Sequence, residues 1–147
     1  MGRPDFQNLR VYHLSEAVSD KLWEVVSGWP LFARDTVGRQ LVRAADSIGA
    51  NIAEGSGRGS FQDNRRFVKI ARGSLNETLH FLRRAHCRRL ITAKQTTDLK
   101  PLFDELSPKL NAYLKSIGPA SVKPGDRNSN GQLTIDNGQS GKRRQQS

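Results

Sequence analysis

The stretch Arg43-Ala44-Ala45-Asp46-Ser47-Ile48-Gly49-Ala50-Asn51-Ile52-Ala53-Glu54-Gly55-Ser56-Gly57-Arg58 decides the architecture of this chain. With Val37 and Leu41 upstream, Ala44, Ala45, Ile48 and Ile52 recur at three- and four-residue steps, the period of one helix face. Ala44, Ala45, Gly49, Ala50 and Ala53 are small enough to let a second helix approach closely. Asp35, an N-cap residue type, predicts the start of this helix. Gln40, Arg43, Ser47, Asn51 and Glu54 form a polar stripe beside the apolar one. A polar stripe at a buried helix border has to be satisfied, so these residues are read as a hydrogen-bond network between helices or subunits. Gly55-Ser56-Gly57-Arg58-Gly59 then breaks the helix. The run is a helix–helix turn rather than a phosphate loop, because it follows a helix and no Gly-Lys-Ser/Thr completes it.

Three further helices flank this one. Leu14, Ala17, Val18, Leu22, Val25 and Val26 keep the helical period upstream, from about Leu9 to Ser27, and Gly28-Trp29-Pro30 ends that segment. Downstream, Ser60 with Asp63 resembles a capping box and opens a helix to about Leu90. Phe67, Ala71, Ser74, Leu75, Thr78, Leu82 and Ala85 share its inner side. Thr92 caps a fourth helix, on which Leu99, Leu102, Phe103, Leu106, Leu110, Tyr113, Leu114 and Ile117 recur. Pro101 and Pro108 conflict with a helix interior, so a late start at Pro101 or a kink is expected. Four helices, short connections and no strand pattern predict an all-α, antiparallel up-down four-helix bundle over residues 1–117. From 118 to 147 the chain is rich in Gly, Ser, Asn and Gln and reads as a disordered basic tail.

The 147 residues carry 24 basic and 14 acidic groups, a net charge of +10. Such an excess favours anionic partners. The excess is local: Arg58 to Lys94 holds ten basic residues against Asp63 and Glu77. On a helical wheel Arg65, Arg66, Lys69, Arg72, Arg83 and Arg84 fall in an arc of roughly 120°, opposite the Phe67, Ala71, Leu75 and Leu82 stripe. Gln62, Asn76 and His80 share the arc, and no carboxylate does. Solvated helix faces usually mix signs, with Glu and Lys four residues apart. This face does not, so these six residues are read either as a nucleic-acid-binding surface that contacts phosphate rather than bases, or as a face that is solvated or pairs with acidic groups of another subunit.

Other chemistry is not indicated. His80, His86 and Cys87 lack metal-ligand spacing, and no cofactor is expected. No nucleophile–base set or carboxylate pair stands out, so no enzymatic activity is expected. Cys87 is the single cysteine, and no run approaches the length of a membrane span. A cytoplasmic protein without membrane partners is the expectation.

The quoted stretch resembles the "RAA-x-SI-xx-NIAEG-x-GR" run of the 23S rRNA intervening-sequence protein family. Phe67-Val68-Lys69-Ile70-Ala71-Arg72-Gly73-Ser74-Leu75-Asn76-Glu77 resembles its second hallmark, "F-xx-IA-x-GSL-x-E", and Phe6-Gln7-Asn8-Leu9-Arg10-Val11-Tyr12 is similar to its opening. The resemblance covers about residues 5–117. It implies an antiparallel four-helix bundle that assembles as a ring-like homopentamer, with Arg58, Ser74 and Glu77 joining the interface stripe. It also implies kinship with the accessory variability determinant of diversity-generating retroelements, a basic pentamer that binds a reverse transcriptase and nucleic acid. The sequence departs from the family at Cys87-Arg88-Arg89-Leu90-Ile91, where a link with a Gly-Tyr-like pair is usual, and at Pro101 and Pro108. The resulting expectation is a non-enzymatic homo-oligomeric scaffold binding RNA or DNA through the third helix. The alternative is a protein-interaction ring that docks an acidic partner such as a reverse transcriptase.

Overall fold

The computed structural model describes residues 5–119, and the tail expected past Gly118 lies outside them from residue 120 on. A short 3-10 turn, Asp5–Asn8, leads into helix α1, Arg10–Ser27. The next helical run opens with an α turn, Leu31–Ala33, passes through a π segment, Arg34–Gly38, and continues as α2, Arg39–Ser56. Helix α3 spans Phe61–Cys87 and α4 spans Ala93–Ser116. There is no strand among the described residues.

Close contacts fix the topology. Ser15 faces Gly49 and Val26 faces Gly38, so α1 and α2 run antiparallel. Gly55 meets Asn64 and Phe67 near the turn, while Gln40 and Phe81 line one cleft further along, so α2 and α3 are antiparallel. Arg72 reaches Asn111, while Leu82 and Leu99 line a cleft at the other end of the pair. Helix α4 returns along α1, with Arg10 on Glu105 and Lys21 on Asp98. Four helices therefore pack in an up-down-up-down bundle. Leu22, Leu41, Ile48, Ile52, Leu106 and Leu110 are fully buried at its centre, each contributing about 1.5–3 kcal/mol of burial. Ala17, placed on the inner stripe by periodicity, is exposed.

Close approach of α2 and α3 depends on Gly55. A Cβ there would stand 2.9 Å from the Phe67 Cβ and 3.1 Å from the Asn64 carbonyl. Neither neighbour is the far end of a flexible side chain, so the two helices would have to separate.

Helix ends explain where the structure departs from expectation. Asp35 is not the N-cap of the second helical run. That run begins at Leu31, after Pro30, and the Arg34 N–H donates to the Pro30 carbonyl at 2.8 Å. Proline suits a helix start because its missing N–H would have no intrahelical partner there. Helix α3 stops at Cys87 rather than Leu90. Arg89 adopts a left-handed φ of 61°. The Leu90 N–H then donates to the Ala85 carbonyl at 2.9 Å and the Arg89 N–H to the His86 carbonyl at 3.0 Å. This is a Schellman ending with arginine in the place that usually favours glycine.

The late start at Pro101 is also overturned. Thr92 accepts from the Gln95 N–H while the Gln95 side chain accepts from the Thr92 N–H, a reciprocal capping box that starts α4 at Ala93. The helix runs on through Pro101 and Pro108, both of which are exposed.

Candidate functional site

Helix α3 is built to present two unlike sides. Val68, Ala71, Ser74, Leu75, Thr78 and Ala85 are buried. Their three- and four-residue spacing fixes the rotation of the helix and turns Arg65, Arg66, Lys69, Arg72, Arg83 and Arg84 to the opposite side. Lys69, Arg66, Arg72 and Arg83 are exposed, and Arg65 and Arg84 are half-buried. From Arg65 to Arg84 the row extends about 28 Å along the axis.

Few of these cations are neutralised. Arg66 Nε lies 3.9 Å from Asp63 Oδ1, the only carboxylate within 4 Å of the six among the described residues. The Arg66 guanidinium also sits 4.6 Å from the Phe67 ring centroid. Arg65 Nη1 donates to the Ile117 carbonyl at 2.9 Å, Arg72 Nη1 to Asn111 Oδ1 at 3.4 Å, and Arg84 Nη2 contacts Cys87 Sγ at 3.6 Å. These neutral partners orient the guanidinium groups and leave their charge unopposed. Lys69 and Arg83 make neither hydrogen bond nor ion pair among the described residues. Arg83 and Arg84 stand near the C-terminal end of α3, where the helix dipole favours cations. Arg65, Arg66, Lys69 and Arg72 have no such local reason.

The polar residues of α2 behave differently. Asn51 Nδ2 donates to the Ser47 carbonyl at 2.8 Å, within the same helix. Glu54 pairs with Arg58 at 3.0 Å, and the Arg58 guanidinium lies 4.7 Å from the Phe67 centroid. Gln40 and Arg43 are exposed. The stripe is therefore satisfied locally or faces solvent within one chain. Ser74 is buried and its carbonyl accepts from Thr78 at 2.8 Å, while Glu77 is exposed.

One feature escaped the sequence reading. A groove of about 640 Å³ lies between α1 and α2, lined by Trp23, Val26, Arg34, Arg39, Val42 and Arg43 among others. Its signal was a tryptophan off the inner stripe of α1. Trp23 is 63% exposed, whereas Trp29 is 6% exposed.

Among the described residues, no group of three His, Cys, Asp or Glu side chains could hold a metal ion. No helix among them is long and apolar enough to cross a membrane. Comparison with curated proteins gives no match. The model of the 23S rRNA-intervening sequence protein family matches residues 7–112, from the turn before α1 to the last part of α4. With both hallmark runs inside that match, the chain belongs to the 23S rRNA-intervening sequence protein family.

Proposed function

We propose that this protein is a non-enzymatic, homo-oligomeric helical scaffold that binds RNA or DNA through the outer face of α3. The observation that carries the reading is the six-cation row with one carboxylate at its edge, 3.9 Å from Arg66. Four cations within two turns of α3 and two more near its end suit contact with backbone phosphates, and the neutral partners of Arg65 and Arg72 hold two guanidinium groups in place beforehand. Binding of this kind releases counterions, so it is salt-sensitive and tolerant of sequence. Self-association is supported by family membership and by Leu31 and Phe32, large apolar residues left 63% and 81% exposed in one chain.

The test is RNA and DNA binding across salt concentration by the protein and by the R65Q/K69Q/R72Q variant. The variant should keep its helicity and bind duplex RNA and DNA much more weakly, with the salt slope reduced by about three units. Unchanged affinity in a folded variant would sink the α3 reading. Sedimentation at micromolar concentration tests assembly, and a mass of one chain would reject it.

A further inference from the structure

We infer that the groove between α1 and α2 is a stacking site for single-stranded nucleic acid, with a base on Trp23 and the adjoining phosphates on Arg34, Arg39 and Arg43. The site lies apart from the α3 face and stands or falls without it.

Two facing ridges build the groove. Trp23, Val26 and Ser27 come from α1, and Arg39, Val42, Arg43 and Asp46 from α2, each set at three- and four-residue steps. The π segment adds Arg34, Asp35 and Gly38 at one end. Gly38 draws the two backbones together, because a Cβ there would lie 2.7 Å from Val26 Cγ1 and 3.1 Å from the Ala33 carbonyl. Val26 is 5% exposed and ties the groove to the packed core, so its floor is fixed rather than loose. At about 640 Å³ the space falls within the roughly 300–1,000 Å³ of small-ligand sites.

The chemistry of the lining selects the occupant. Trp23 offers a flat apolar ring that the core does not use. Arg34, Arg39 and Arg43 have no carboxylate within 4 Å among the described residues, although Asp35 and Asp46 line the same groove. An acidic peptide would meet repulsion from those two aspartates. A nucleotide strand separates its charges: phosphates suit the guanidinium groups, and the exocyclic amines and sugar hydroxyls can donate to the carboxylates. Stacking on a ring beside fixed cations is how unpaired strands are held without strict sequence demands.

Trp29 is buried, so quenching of tryptophan emission reports Trp23. The full-length protein is titrated with a single-stranded adenine oligonucleotide, alone and in the R65Q/K69Q/R72Q background. Saturable quenching in both is expected. Adding R39Q/R43Q to that background should weaken it about tenfold, and W23L should weaken binding of a labelled oligonucleotide by a similar factor in anisotropy. Both changes fall on exposed positions, and circular dichroism checks the fold. Absence of saturable quenching, or quenching that survives R39Q/R43Q, would overturn the site. Equal affinity for polyglutamate would assign the groove to an acidic polypeptide instead, and equal affinity for AMP would assign it to a free nucleotide; either overturns the strand reading.

Discussion

Helices α3 and α4 pack side by side, and both carry basic residues on their outer sides, yet only one projects its charge. On α4, Lys94 pairs with Asp98 at 3.2 Å, Lys100 with Asp104 at 2.8 Å and Lys109 with Glu105 at 4.0 Å, all at four-residue spacing. Asp98 and Glu105 also take Lys21 and Arg10 from α1. Such exposed pairs contribute little to stability, but they cancel the field near the helix. On α3, Arg66 alone has a carboxylate within reach. The difference is one of placement: α4 sets acids one turn from its lysines, whereas α3 spends the equivalent positions on Gln62, Asn76 and His80. A count of basic residues would not separate the two helices, whereas the turn-by-turn pattern does.

Making α3 resemble α4 is the sharpest way to break the comparison. Q62E/N76E places carboxylates four residues from Arg66 and Arg72 on an exposed face. Polyanion affinity should fall about tenfold at low salt, about 1.4 kcal/mol, with little change in thermal stability. An unchanged affinity, read by titration, would mean that the row's isolation is not what attracts the ligand.

The junction between the two helices offers a smaller effect. Arg89 holds a left-handed backbone that costs a side-chain-bearing residue about 1–2 kcal/mol. R89G should stabilise the fold by about 1 kcal/mol and raise Tm by a few degrees without weakening polyanion binding. A fall in Tm would show that the Arg89 side chain contributes more than its backbone costs.

The smallest effect concerns α4 itself. The Arg10 guanidinium hydrogen-bonds Glu105 and holds its carboxyl below the ordinary Glu range. A lowered folded value means that the contribution is present above the unfolded value of about 4.3 and fades as pH falls through the lower one. Urea midpoints for E105Q should therefore depend less on pH across that acid window than those of the natural chain. Parallel profiles would show that the exposed pair does not couple to folding.

Much of this was legible in the residues. Periodicity located four helices because each buries one continuous apolar face, and the wheel placed the basic row because the inner face of α3 leaves its rotation no freedom. Ser60 and Thr92 were readable as caps because capping is local chemistry. The start at Leu31 was not, since Pro30 hydrogen-bonds through its carbonyl alone and Leu31 and Phe32 look like core residues while being exposed. Pro101 and Pro108 misled because the helix runs through both, on its exposed side, from a start already set at Thr92. The bond from Arg65 to Ile117 and the α1–α2 groove join residues distant in the chain, and no pattern along one helix reveals them.

The π segment Arg34–Gly38 has a consequence for how this fold tolerates change in length. A π turn holds one residue more than an α turn, so the segment works as a phase adjuster between Leu31–Ala33 and α2. Losing one residue there would return the segment to an α turn and leave Leu31 and Phe32 at nearly the same angle to α2. A single-residue deletion in this segment is thus absorbed where it falls, and the exposed apolar end of the bundle, the core and the basic face of α3 keep their places.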